Sequence, residues 1–302
     1  MRNNTHTKFL LTPILSILKE SIIACRGIGI GIETQALSEY VMQTTFLKMT
    51  GALEQKMKCI CWEIASNDYE YRYQYLKKNY GECSRYEDKN HVYKDLINAI
   101  ARINKSFNWY SIFFDIDISP IVKESLKAKI DAAIVNQTRK KGRELHADEI
   151  NKLSDGITHY YMRQNLTDKD RSIFAQKMIL KDINGKIIEL VKDSPISIWE
   201  QRNFLFYKSN CNDIYSESFM SNKSLFDTKL IEFYNEIVYK HRNRCAHNLK
   251  SYQDNLPTLS TIISDTYKYE NYFFRFAIVI LIDEIFIRLF NKYKAELING
   301  IV

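Results

Sequence analysis

One segment near the end of the chain allows few folds. Between Phe273 and Phe290 almost every residue is apolar, and only Arg275, Asp283, Glu284 and Arg288 interrupt the run. A helix this apolar on all sides must be surrounded, by lipid or by other helices. The charged residues leave no uninterrupted apolar span of about 18 to 20 residues, so the segment reads as the core helix of a bundle, from about Tyr267 to Leu297, and not as a membrane span. Turn chemistry agrees. The chain has 302 residues but only nine Gly and four Pro. Strands need turns, and turns favour Gly and Pro, so their scarcity predicts long helices. The expected class is mainly α, and the length suits one large domain or two modest ones.

The net charge of +7 permits an acidic partner such as RNA without demanding one. Cys25, Cys59, Cys61, Cys83, Cys211 and Cys245 form no disulfide framework and no paired zinc knuckle. They read as reduced, small apolar residues, which predicts a reducing cytoplasm. Ile22-Ile23-Ala24-Cys25 resembles a lipoprotein cleavage box after the apolar run Phe9 to Leu18. Lys19 and Glu20 fall where a signal peptide should be apolar, so an amphipathic helix is expected there.

In chain order, residues 8 to 26 read as a short helix. The glycines of GIGIGIET follow at Gly27, Gly29 and Gly31. No GK[ST] follows them, so a linker or short strand is expected, not a phosphate loop. Residues 33 to 65 read as a long helix, or two, with Phe46, Met49, Leu53, Met57, Ile60 and Ile64 at helical spacing. Glu54 lies beside this stripe. Its plain reading is a solvated residue or a partner of Lys58. It would orient an arginine only if another helix brought one there.

Tyr69, Tyr71, Tyr73, Tyr75 and Tyr80 are interleaved with Arg72, Lys77 and Lys78. They read either as a base-stacking surface or as an aromatic face packed on the core. Residues 91 to 118 read as a helix followed by the β-prone SFNWYSIFFDIDI, with a boundary at Pro120. Residues 121 to 180 are polar and helical. Their basic run, Arg139, Lys140, Lys141 and Arg143, is either a solvated face or an RNA backbone contact. Residues 181 to 190 fit a small β-hairpin through Asn184-Gly185, and Trp199 to Tyr207 is expected to be helical.

The stretch that suggests chemistry is KLIEFYNEIVYKHRNRCAHNLK, Lys229 to Lys250. Leu230, Tyr234, Ile237, Val238, His241 and Cys245 recur at three- and four-residue steps and predict one buried stripe. Arg242, Asn243 and His247 follow at its end. Basic residues at a helix C-terminus also serve as plain caps, but capping does not explain these three together. The spacing alone is weak. Arg85…His91 and Arg139…His146 repeat it without the following Asn or the apolar stripe.

Arg242-Asn243-Arg244-Cys245-Ala246-His247 resembles the R-x4-6-H signature of the HEPN superfamily, a group of helical bundles. In that family a polar residue commonly follows the arginine, and a further helix follows the motif. The resemblance covers about residues 33–65 and 196–298. It divides the chain into an N-terminal helix and linker (1–32), a HEPN-like bundle (33–65 and 196–302) and an insertion of unknown role (66–195). It implies a metal-independent endoribonuclease needing no cofactor. The ribose 2′-hydroxyl attacks the adjacent phosphorus, the 5′-oxygen leaves, and a 2′,3′-cyclic phosphate remains. His247 would be the general acid or base, Arg242 would bind the phosphoryl oxygens, and Asn243 would orient one or the other. Arg244, on another flank, is a candidate RNA contact, as are Arg139, Lys140 and Lys141. Glu54 is the candidate for the acidic residue that many members carry in an early bundle helix.

Five residues of α-helix turn through about 500°, which leaves the Arg242 and His247 directions about 140° apart. Both can face one phosphate only if the helix ends between them or if two chains share the site. The family takes the second course, so the resemblance implies a homodimer with a composite site. It also implies a toxin or anti-phage effector, with an antitoxin or phage trigger as a further partner. Some members are silenced through a tyrosine two residues past the histidine, a place taken here by Leu249. A non-catalytic HEPN-like RNA-binding protein or interaction scaffold is the alternative reading.

Overall fold

The computed structural model describes residues 5–34, 36–77, 81–163, 166–215, 218–247 and 265–299. These are largely helical and contain no strand. The helices are α1 (Thr5–Leu11), α2 (Leu15–Cys25), α3 (Ala36–Asn67), α4 (Tyr69–Lys77), α5 (Tyr86–Ile103), α6 (Ser119–Lys141), α7 (Ala147–Arg163) and α8 (Asp168–Val191). Then come α9 (Pro195–Trp199), α10 (Gln201–Asn210), α11 (Thr228–Phe233), α12 (Lys240–His247) and α13 (Tyr272–Asn299). A π-helical turn, Tyr234–Tyr239, joins α11 to α12 as one rod. No helix is long and apolar enough to cross a membrane, among the described residues.

The chain divides into two compact units. One comprises Met1–Trp109 with Leu180–Val302, and the other comprises Tyr110–Ile179. The second is a helical hairpin of α6 and α7 with the first part of α8. It is narrower than the 66–195 insertion expected from sequence. Residues 66–109 belong to the first unit because α5 presents Val92, Tyr93, Leu96 and Ile100 to its core, each fully buried. Such a stripe at three- and four-residue steps is stable only against other helices.

The first unit is built around α13. Every residue from Tyr272 to Asp283 is buried, so this part of the helix is enclosed on all sides. Around it lie α1, α3, α5, α10 and the π turn. Each large apolar side chain so covered contributes about 1.5–3 kcal/mol. The α3 stripe is equally closed, with Phe46, Met49, Leu53, Met57, Ile60 and Ile64 all exposed by 1% or less. Asp283, a charge in the middle of α13, has partners on two elements. Lys56 Nζ lies 2.5 Å from its Oδ1, and the Ile14 backbone N–H donates to its Oδ2 at 2.7 Å. Lys56 also donates to the Thr12 carbonyl, so the pair pins the α1–α2 junction to the bundle.

Several expectations need correction. The segment 8–26 is two helices, broken around Pro13, whose ring disfavours helix in the residue before it. The hairpin at 181–190 is absent, because α8 runs unbroken to Val191. Ile179, Ile183, Ile187 and Val191 form a buried helical stripe there, and burying it outweighs the turn preference of Asn-Gly. Asn184 faces inward as part of that helix. It accepts a hydrogen bond from Tyr207 Oη at 2.8 Å and donates to the Cys211 carbonyl at 3.3 Å. The β-prone aromatic stretch forms a 3-10 turn, Trp109–Phe113. On α4, Tyr71 turns inward as the packed reading expects, while Tyr69 and Tyr73 are exposed. Tyr80 and Lys78 lie outside the described residues.

Candidate functional site

The site begins with the geometry of the rod. Leu230 and Arg242 are twelve residues apart, so an unbroken α-helix would leave them about 120° apart. The π turn inserts one extra residue and sets every later side chain back by about 100°. Arg242 therefore returns to within about 20° of the buried Leu230 line. The turn is anchored from α13, where buried Arg275 donates from Nε to the Ile237 carbonyl at 2.9 Å. Arg275 also lies over the Tyr272 ring, and its pKa is pushed down to about 10 by burial.

Rotated in this way, Arg242 meets α3. Its Nη2 donates to Glu54 Oε2 at 3.1 Å across 188 residues of sequence, and its Nη1 donates to Asn243 Oδ1 at 3.3 Å. The guanidinium side chain is 20% exposed and the carboxylate side chain 10%. A forked donor held on two sides keeps its remaining N–H groups in one plane and one direction. Lys58, the other candidate partner for Glu54, pairs instead with Glu82 at 2.9 Å. That pair holds the exposed Glu82 carboxyl below its usual range, chiefly through the hydrogen bond from Lys58.

Asn243 also hydrogen-bonds Tyr239. The Tyr239 hydroxyl accepts a second bond from Arg85 Nε at 3.4 Å. Bonds from Asn243 and then Arg85 favour the phenolate and draw the Tyr239 pKa down. A continuous polar chain thus runs Glu54–Arg242–Asn243–Tyr239–Arg85. Arg85 precedes α5 and ends a tight turn in which Cys83 takes a left-handed φ of 58°. Buried Lys89 donates to the carbonyls of Cys83 and Ser84 at 2.5 and 3.0 Å, and Tyr234 Oη donates to Ser84 at 2.8 Å. Burial lowers the Lys89 pKa to about 8, against the pull of Glu54 in the other direction.

The other predicted residues fall elsewhere. The backbone stays helical through His247, so positions 242 and 247 remain about 140° apart around the axis. The His247 side chain lies outside the described residues, as do Leu249 and the rest of 248–264. Arg244 is on the flank of His241, Cys245 and Arg275, whose ionisation it influences. Arg139, Lys140 and Lys141 belong to the other compact unit. Lys141 and Arg143 are tied to Glu149 at 2.7 and 3.1 Å, whereas Arg139 and Lys140 are exposed.

His241 is half-buried against the core. Its ring packs against Phe46 at 5.3 Å and Tyr272 at 5.1 Å, and burial pushes its pKa down to about 2. Among the described residues no group of three or more His, Cys, Asp or Glu side chains is placed to hold a metal. A separate pocket of about 420 Å³, lined by Trp199, Arg202, Phe206 and Lys268 among others, shares no residue with the Arg242 chain.

Sequence reasoning named Glu54, Arg242 and Asn243 but missed Tyr239, Arg85 and Lys89. One signal was available. Lys89 sits in line with Val92, Tyr93 and Leu96 on α5, and a lysine on an apolar stripe needs buried acceptors. No protein-family model, curated protein or solved structure matches this chain.

Proposed function

We propose that this protein is a HEPN-type, metal-independent endoribonuclease, in which Arg242 holds the scissile phosphate and His247 moves the proton. The observation that carries this reading is the placement of Arg242. A π turn and an inter-helix carboxylate fix a partly exposed guanidinium at the rim of the bundle. A cap needs neither device. In the proposed reaction the 2′-hydroxyl loses its proton as its oxygen attacks phosphorus. The donors of Arg242 that no described residue takes up then stabilise the charge that grows on the phosphoryl oxygens. The P–O5′ bond breaks, the leaving oxygen takes a proton, and a 2′,3′-cyclic phosphate remains. His247, as an imidazole titrating near neutrality, gives or takes one of these protons. Glu54 and Asn243 are positioning residues that act through Arg242.

The continuous helix supports the homodimer. With no unwinding between Arg242 and His247, one phosphate can meet both residues only if the second comes from a partner chain. The cellular role carried by the same reading is a toxin or anti-phage effector. The test is cleavage of total cellular RNA by the purified protein in EDTA, beside His247→Ala and Arg242→Ala. Cleavage that leaves cyclic phosphate ends, and is lost in both variants, is the expected result. Equal cleavage by the His247→Ala protein would overturn the proposal. Growth arrest on expression, relieved by the same substitution, checks the cellular role.

A further inference from the structure

Among the described residues three cations besides Arg242, namely Lys58, Lys89 and Arg85, lie along the polar chain at the end of the rod, and two are already engaged. Lys58 is paired with Glu82. Lys89 is buried and bonded to two carbonyls. Arg85 differs. It is exposed, and among the described residues its guanidinium forms no ion pair and hydrogen-bonds only to the Tyr239 hydroxyl, through Nε. Glu87 and Asp88 lie near enough to be felt electrostatically but do not pair with it. Among the described residues its two Nη groups have no partner, which leaves the forked donor geometry that suits phosphate.

The position of this guanidinium is built rather than incidental. The turn that carries it includes a buried non-glycine residue at φ 58°, a conformation that costs about 1 kcal/mol or more and persists only where the surroundings impose it. Here they do. Lys89 and Tyr234 together hold the carbonyls of Cys83 and Ser84. Tyr239 then links Arg85 to Asn243, and Asn243 to Arg242. Two guanidiniums from segments 157 positions apart in sequence (Arg85 and Arg242) so stand at the two ends of a Tyr–Asn bridge.

We propose that Arg85 is a second phosphate contact, binding a phosphodiester next to the one held by Arg242 on the same RNA strand. This rests on the ribonuclease reading and deepens it. The substrate is then an RNA segment with at least two consecutive phosphodiesters, bound along the line Arg242–Asn243–Tyr239–Arg85 and read by charge, not by base. Tyr239 and Lys89 are positioning residues for Arg85.

The experiment uses the full chain and a single-stranded 2′-O-methyl RNA oligonucleotide, which keeps the phosphates but lacks the nucleophile. Binding is followed by fluorescence anisotropy over a salt series for the wild type, Arg85→Ala and Arg85→Lys. One lost phosphate contact on a single strand makes the slope of log K against log salt shallower by about 0.7. The expected result is that change in Arg85→Ala, for any base sequence, with the slope largely kept in Arg85→Lys. Melting temperatures should match, because Arg85 is exposed. A wild-type slope in Arg85→Ala overturns this inference and leaves the ribonuclease reading standing. A wild-type protein that binds the RNA at no salt concentration overturns both.

Discussion

Glu54 and Lys56 stand two residues apart on α3, and each is half of an ion pair with another helix. The two pairs differ in every physical respect that matters. The Lys56–Asp283 side chains are 3% and 2% exposed, and each charge has a second partner in the α1–α2 junction. Burial pushes Lys56 down and Asp283 up, which is the signature of charges enclosed at a desolvation cost. The Glu54–Arg242 pair lies at the rim, with the guanidinium side chain 20% exposed and N–H groups unspent among the described residues. A closed pair fixes structure. An open pair fixes one charge so that it can meet another.

The sharpest way to break this comparison is to remove one member of the closed pair. Asp283→Asn leaves Lys56 buried without a counter-charge and should cost about 3–5 kcal/mol in urea unfolding. The double variant Lys56→Met/Asp283→Leu should recover only part of that loss, because the buried Ile14 N–H is left without its acceptor. If Asp283→Asn melts like the wild type, the pair is not structural. Removing the open arginine should act first on function. Arg242→Ala is expected to lower RNA cleavage about 10²- to 10³-fold, and it also costs stability because the buried Glu54 carboxylate loses its partner. Glu54→Gln keeps the shape but loses the charge, and should lower cleavage less than Arg242→Ala does.

A third test concerns His241. It is held neutral in the fold, with its pKa pushed down to about 2, while the unfolded imidazole titrates near 6.5. The unfolded chain therefore binds the extra proton between those values. Stability is full above about pH 6.5 and falls as pH drops below it, by up to about 1.4 kcal/mol per pH unit. His241→Phe should flatten the melting profile between pH 7 and pH 5, and a profile as steep as the wild type's would show that the fold does not hold the ring neutral. The smallest expected effect is at Lys58. Its partner Glu82 is exposed, so Lys58→Ala should barely move the melting temperature. A large loss of cleavage in Lys58→Ala would show that Glu82 has to be kept away from Arg242.

The sequence was a good guide wherever periodicity decides the outcome. The α3 stripe, the enclosed α13 and the first part of the rod's stripe, Leu230, Tyr234, Ile237 and Val238, are buried as their spacing predicts, while His241 and Cys245 at its end are half-buried. Glu54 and Arg242 could be named singly from their places beside such stripes. Asn184-Gly185 misled because a turn signal is local, while the stripe Ile179–Val191 belongs to a core assembled from distant segments. The bounds of the compact unit Tyr110–Ile179 are not legible in the sequence for the same reason. The membership of α5 depends on what it packs against, not on its own composition.

Sequence by itself therefore determined the helices, their buried faces and the residue types at the end of the rod. Tertiary structure decided which charges meet. Glu54 could pair with Lys58 one turn away or with Arg242 across 188 residues, and packing of the rod on α3 selects Arg242. The π turn that rotates Arg242 inward depends on a carbonyl bond from Arg275 on a different helix. Arg85 reaches Tyr239 only because the α5 turn and the rod pack together. Each of these contacts is short-range in space and long-range in sequence. Periodicity fixes the face a residue occupies, but only the packing of helices fixes what that face meets.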